Sequence, residues 1–352
     1  MMPQVRVSLV MPVRNEEQSV ERTMGSVFAS TRLPDEILIA DGMSTDRTVE
    51  KITAYAGKGI PLAVIPNPTR FSGGGRNLGI RQASGDVILL ADFGNVIDPR
   101  WIEEMVRPFE EDSAVEMVTG LHRPLVQSDF EHCMAAIHYY INFMLDRYTL
   151  EERIELTPEI VLPGGASLGF RRRVWELVGG YPEWLPKAQD KMFSRKCYAL
   201  GVPVRISWNA FVSHHMRSTP REVFWQMVAY GRGNGRIGCV DGQVYKLMAV
   251  YGLVCGLFAA SVVWWPFSLL ALGLLLAYFY RAGLRKILNV DGGLKQISYL
   301  WWTPLVIVPR DLGLLVGHLW GWGEWLCVPQ YRTLFTAYTA GCDPDRLRAT
   351  SR

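Results

Sequence analysis

Through its first 120 residues the chain alternates short apolar, β-branched runs with longer amphipathic stretches. Val5–Val13, Glu36–Ala40, Leu62–Ile65, Val87–Ala91 and Val115–Thr119 predict strands. Residues 17–29, 46–56, 75–83 and 99–110 predict helices, the second capped by Ser44-Thr45. Alternation at this spacing predicts a doubly wound, mostly parallel α/β sheet. Ligands bind such sheets beyond the carboxyl ends of the strands. That rule selects Arg14-Asn15-Glu16 after the first strand, Asp41 after the second and Asp92 after the fourth.

Residues 160–235 are less regular. They run through Pro163-Gly164-Gly165, Arg171-Arg172-Arg173, Gly179-Gly180-Tyr181 and Gln189-Asp190 to a helix and a short strand ending at His214-His215. Beyond them the pattern changes in kind, because Leu247 to Tyr280 contains no charged residue and is longer than one bilayer-spanning helix requires. Trp264-Trp265-Pro266 divides this run, which predicts a helical hairpin. Arg232, Arg236 and Lys246 precede it and Arg281, Arg285 and Lys286 follow it, so a hairpin keeps both basic clusters on one side of a membrane. Residues 299–326 are apolar and Trp-rich but include Arg310, Asp311, His318 and Glu324, a mixture that predicts interfacial helix rather than a crossing.

Composition sharpens this reading. Hydrophobic residues make up 49% of the 352 residues and charged ones 20%, and the formal net charge of +3 is too small to argue for nucleic acid as a partner. It suits an anionic small substrate or an anionic membrane surface. The six cysteines form no CxxC pair and predict reduced structural thiols. The run Val5–Val13 is short and interrupted by Arg6, so it predicts no signal peptide and a cytoplasmic first domain.

The stretch LLADFGNVIDPRW, residues 89–101, delivers a carboxylate from a buried strand. Its Asp-Phe-Gly admits a kinase magnesium site, an altered Asp-X-Asp metal site, or a plain turn. A kinase needs an upstream His-Arg-Asp catalytic loop and a Lys-bearing strand, and neither stands in the right order. A dinucleotide-binding dehydrogenase needs GxGxxG after its first strand, where this chain has PVRNEE.

Taken together, VSLVMPVRNEE, EILIADGMSTDRT and GGGRNLGIRQASGDVILLADFGNVIDPRW resemble the successive nucleotide-binding segments of the family 2 glycosyltransferases. FRRRVWELVGGYPEWLPKAQD resembles that family's acceptor-side segment, with Gln189 in place of the Glu in its Glu-Asp pair. The similarity covers about residues 5 to 235. It implies an α/β GT-A fold, a Rossmann-like mixed sheet, as catalytic domain over 1–235. A hydrophobic, membrane-associated helical region would follow over 236–330 (hairpin 247–280, interfacial helix 299–326), then a tail over 331–352.

The resemblance also implies roles. Asp190 is the general base of an inverting transfer, and losing the neighbouring carboxylate at 189 favours its ionised form. Asp41 and Gly42 meet the nucleobase, helped by Glu16 and the backbone of Pro12, Arg14 and Asn15. Gly75, Arg76 and Asn77 face the diphosphate, where free amides and a guanidinium suit an anion. Asp92 takes the first place of Asp-X-Asp and Gly94 the second, so a divalent cation (Mg2+ or Mn2+) would rest on Asp92 with Asn95 and His214. Arg232 stands on a basic helix able to meet a diphosphate or lipid headgroups. The implied partners are a nucleotide-diphosphate sugar, foremost a UDP-sugar, and a lipid-linked or glycolipid acceptor at the inner membrane, with the catalytic domain cytoplasmic. Two other readings share the fold. One is an impaired nucleotide-sugar-binding subunit. The other is a processive synthase, whose Gln-x-x-Arg-Trp signature is absent at Gln226–Tyr230.

Overall fold

The computed structural model describes residues 5–139, 164–239 and 242–342. Pro163 and residues 343–352 of the expected tail lie outside them. The chain forms two compact units that are not successive blocks of sequence. The first comprises Met1–Arg123, Leu150–His215 and Leu334–Leu347, the second Pro124–Thr149, Met216–Thr333 and Arg348–Arg352.

Among the described residues the first unit has eight strands: β1 (Val7–Val13), β2 (Glu36–Asp41), β3 (Leu62–Pro66), β4 (Val87–Leu90), β5 (Val96–Ile97), β6 (Met117–Leu125), β7 (Leu168–Arg171) and β8 (Val204–His215). Their order is β3-β2-β1-β4-β7-β6-β8-β5. β1 to β4 are parallel, whereas β7 runs antiparallel to both β4 and β6, so the sheet is mixed. Strand β1 is almost wholly apolar because both of its faces are covered. Val7, Leu9, Met11 and Val13 enter one core with helices α1 (Val20–Phe28) and α4 (Trp101–Glu111). Val10 points to the other, with α3 (Ser72–Gln82).

Two local expectations shift. The helix predicted over 46–56 is α2, Thr48–Thr53, and neither Ser44 nor Thr45 caps it. Asp46 bonds the Thr48 amide instead, while Ser44 serves the preceding turn. The strand predicted over Val115–Thr119 continues to Leu125, beyond its pairing with β7 at Met117–Thr119, with β8 as its other neighbour in the sheet.

Helix α5 (Asp129–His138) belongs to the second unit, whereas α6 (Arg172–Val178) and α7 (Gln189–Ala199) belong to the first. The second unit continues with α8 (Pro220–Gly235), α9 (Gly242–Ala260), α10 (Pro266–Phe279), α11 (Arg285–Asp291) and α12 (Tyr299–Cys327). Helices α9 and α10 form the predicted hairpin, with Pro266 in the first turn of α10, where a missing N–H costs nothing. Among the described residues, three helical stretches are long and apolar enough to cross a membrane: Gly242–Ala260, Pro266–Asp291 and Tyr299–Cys327.

The α8–α12 seam is set by glycines four residues apart: Gly231 and Gly235 on one helix, Gly313, Gly317 and Gly321 on the other. A Cβ at any of these would run into backbone of the facing helix, so only glycine allows this approach. The charges of α12 are satisfied within the unit. Asp311, fully buried, pairs with Arg310 at 2.7 Å and accepts from the hydroxyls of Tyr251 (3.0 Å) and Tyr278 (2.6 Å).

Helix α13 (Pro329–Thr339) ends in the first unit. There the Tyr338 hydroxyl donates to the Gly180 carbonyl at 2.9 Å, and Lys196 Nζ donates to the Tyr338 carbonyl at 2.6 Å.

Candidate active site

The parallel register brings the ends of β1, β2 and β4 to one edge. Val13 pairs with Asp41, and Leu90 pairs with Val10 just before Asp92. The loops after β1 and β2 are laced together there. The Asn15 amide donates to Ser44 Oγ at 2.9 Å, Asn15 Oδ1 accepts from the Thr45 amide at 2.9 Å, and the Glu16 amide donates to Thr48 Oγ1 at 2.7 Å. Asn15 adopts a left-handed φ of 52° to make these bonds. The Asp41 carboxylate accepts from the Ser44 amide and hydroxyl, which orients it and leaves other lone pairs open. Arg14 is exposed beside it, and a Cβ on Gly42 would press on the Arg14 side chain.

The glycine run behaves differently from expectation. Helix α3 starts at Ser72, so Gly73, Gly74 and Gly75 lie buried inside its first turn instead of in a loop before it. A Cβ on Gly73 would meet Gln189 and the Pro182 carbonyl, and one on Gly75 would meet Asn67, Ala40 and Pro12. These residues bring α3 close to the sheet and to the start of α7.

That closeness places Arg76. Its side chain is 2% exposed and Nη2 reaches Asp92 Oδ1 at 2.5 Å, while the Asp92 side chain stays 44% exposed. Burial works against the guanidinium charge, but Asp92, with Tyr181 and Asp190, more than offsets it and raises the Arg76 pKa. Nε and Nη1 of Arg76 are buried without a hydrogen-bond partner, so part of its donor capacity is unspent. Asn77 has a different task. Its amide nitrogen donates to the Tyr181 carbonyl (2.9 Å) and Glu183 (2.8 Å), and its oxygen accepts from Trp175 Nε1 (2.9 Å) and the Tyr181 amide (2.8 Å). With both ends engaged, it anchors the Gly180-Tyr181-Pro182-Glu183 segment that leads to Asp190.

Asp190 stands in the first turn of α7, after Ala188 at φ 67°, and its Oδ1 accepts from the Lys191 amide at 2.8 Å. Gln189 is buried and donates to Ser72 Oγ, linking the starts of α7 and α3. A residue not foreseen, His122 on β6, completes the cluster. Its ring meets His214 edge-on at 6.4 Å, and burial pushes its pKa down against the pull of Asp92 and Asp190, which favours the neutral imidazole. The only sequence signal for it was the length of β6, which was read too short. Arg232 lies in the second unit, where it and Arg236 both pair with Glu324 and its guanidinium covers the Trp320 ring at 3.9 Å.

Residues 8–178 match the family model for glycosyl transferase family 2. Residues 8–178 carry a family 2 glycosyltransferase domain. The chain is 25% identical over 229 residues to the O-antigen chain rhamnosyltransferase RfbN of Salmonella typhimurium, covering 62% of this chain and 69% of that one. It is 31% identical over 150 residues to an undecaprenyl-phosphate 4-deoxy-4-formamido-L-arabinose transferase of Yersinia enterocolitica, covering 41% and 44%. A mannosyltransferase from Pyrobaculum calidifontis, solved with GDP-Man and Mn2+, superposes with a TM-score of 0.62 at 17% identity over 90% of this chain and 88% of that one, which establishes the GT-A fold.

Glycosyltransferases of this fold typically use a divalent metal, so the residues of the transferase domain can be tested against one. Among the described residues no three His, Cys, Asp or Glu side chains converge as a cation site. Gly94 has φ +95°, and a Cβ there would lie 3.3 Å from Glu16 Oε2. One oxygen of Asp92 is held by Arg76, and Asn95 is tied through its backbone oxygen to Thr23 Oγ1 at 3.0 Å. These groups do not fit a cation held by the protein alone. The Gly94→Asp variant of the transferase domain is therefore expected to melt lower, by about 1–3 kcal/mol of strain, and to gain no Mn2+ site in calorimetric titration. Saturable Mn2+ binding at unchanged melting temperature would contradict this.

Proposed function

We propose that the protein is an inverting transferase that moves a single sugar from a nucleotide-diphosphate donor, a UDP-sugar, to a lipid-linked saccharide or glycolipid during bacterial surface-polysaccharide assembly. The observation that carries the reading is the convergence of buried Arg76 with Asp92 and Asp190 at the carboxyl edge of the sheet. Asp190 takes the proton from the acceptor hydroxyl as its oxygen attacks the anomeric carbon, and the nucleotide diphosphate leaves from the opposite face. The positive charge of Arg76 lies where negative charge develops on the leaving group. Asp41 and Gly42 receive the base, helped by Glu16 and the backbone of Pro12, Arg14 and Asn15, and Gly75 lines the start of α3. Asn77 acts by position. A cation, where one is used, would need the donor's own phosphates as ligands beside Asp92, Asn95 and His214, since the protein's groups do not suffice alone.

The polyprenyl-phosphate and O-antigen names of two relatives support a lipid-linked acceptor. The apolar hairpin supports a membrane seat, proposed as the inner membrane with the transferase domain on its cytoplasmic face. The test is to incubate the full-length protein with a panel of nucleotide sugars and a bacterial polyprenyl-linked acceptor extract. One donor should release its nucleotide in an acceptor-dependent manner and add a single sugar. Donor binding without turnover would favour an impaired binding subunit, and a ladder of products would favour a processive synthase.

A further inference from the structure

Helix α12 satisfies length and hydropathy requirements for a membrane crossing, and at 29 residues it is about 43 Å long. We infer that it does not cross: it lies along one membrane surface, its apolar face against the headgroup layer of one leaflet and both ends on the side of the transferase domain. This rests on the membrane seat proposed above.

The first argument is chain length. Leu334 belongs to the first unit, and only six residues, spanning seven Cα–Cα steps, separate it from Cys327 at the end of α12. Fully extended, they reach about 25 Å, less than the roughly 30 Å of a hydrocarbon core. They are in fact mostly helical and reach far less. At the other end, Ser298 donates to Asp129 at 2.5 Å, and six residues lead from Asp129 back to Arg123 on β6 of the sheet. Both ends of α12 are tied to the transferase domain by tethers too short to traverse a bilayer.

The second argument is company. Helix α8 interleaves its glycines with those of α12 and would have to enter the hydrocarbon with it. It carries Arg221, Glu222, Arg232 and Asn234, and only four residues separate it from β8. The third is the pattern of exposure on α12. Arg310, Asp311 and Glu324 pair inward, whereas Trp301, Leu305, Leu312, Val316 and Leu319 form one exposed stripe at intervals of three, four and seven. A one-sided apolar stripe with a tryptophan suits the interface, where one face meets lipid and the other protein.

The test uses membrane vesicles of both orientations and a membrane-impermeant maleimide, with the other native cysteines replaced. The reporters are exposed Cys327 at one end of α12, Ile297→Cys before the other, and Glu103→Cys as a reference on the transferase domain. All three should label in the same vesicle orientation and none in the other. Labelling of positions 297 and 327 from opposite faces would overturn the inference and leave the membrane seat standing. Release of the whole chain by carbonate washing would overturn both.

Discussion

Asp190→Asn is expected to lower sugar transfer about 10²–10⁴-fold, the contribution of a well-placed general base, with donor affinity and melting temperature close to wild type. An amide fills the space of the carboxylate but cannot take the acceptor's proton. The bond that Asp190 Oδ1 accepts from the Lys191 amide survives in the variant, because the amide oxygen accepts equally well. Helix α7 therefore keeps its start, and Gln189 keeps its link to Ser72. This separates catalysis from helix capping. A residue that only capped would show a lower melting temperature with ordinary turnover per folded molecule. Nucleotide release and thermal unfolding, measured on the same preparation, read both quantities, and equal turnover of the two proteins would remove Asp190 from the mechanism.

The largest structural effect is expected at Gly317→Leu. A Cβ on this residue would strike the carbonyl of Val228, which is backbone on the facing helix and cannot swing away as a side chain could. Helices α8 and α12 would have to part, loosening the neighbouring contacts of Gly313, Gly321, Gly231 and Gly235 as well. Overpacking of this kind costs about 1–3 kcal/mol at a single site, and here it spreads along the seam. Gly323 supplies the control on the same helix. A Cβ there meets nothing within 4 Å, so Gly323→Ala should stabilise by about 0.4–1 kcal/mol through the unfolded chain's lost freedom. Thermal unfolding of the detergent-solubilised protein by circular dichroism should shift down for the first and slightly up for the second. Equal shifts would mean that the seam does not depend on its glycines.

The strand ends were legible because a parallel sheet leaves little choice. Once Val5–Val13, Glu36–Ala40 and Val87–Ala91 read as buried strands, Glu16, Asp41 and Asp92 had to emerge at the same edge. The hairpin was legible because Pro266 and the lack of charge between Leu247 and Tyr280 are local facts. What escaped depended on partners distant in the chain. Three glycines before Arg76 looked like an anion-binding loop, and nothing nearby in sequence revealed that Gln189 and Pro12 would press on them. Asn77 looked like a ligand contact until Trp175, Tyr181 and Glu183 took all its bonds. His122 was hidden by a strand end placed six residues too early.

By itself, then, the sequence determined the α/β alternation, the family resemblance, the carboxylates at the strand ends and the apolar hairpin, since each is written in short-range periodicity or in residues delivered by a single strand. Tertiary structure alone decided that Arg76 would lie buried against Asp92, that Arg232 would be taken up by Glu324, and that Tyr338 would return to the transferase domain. These depend on hydrogen bonds and ion pairs between groups up to about 160 residues apart, and a pairing of that range leaves no periodic trace because the chain between its partners is free to take any pattern.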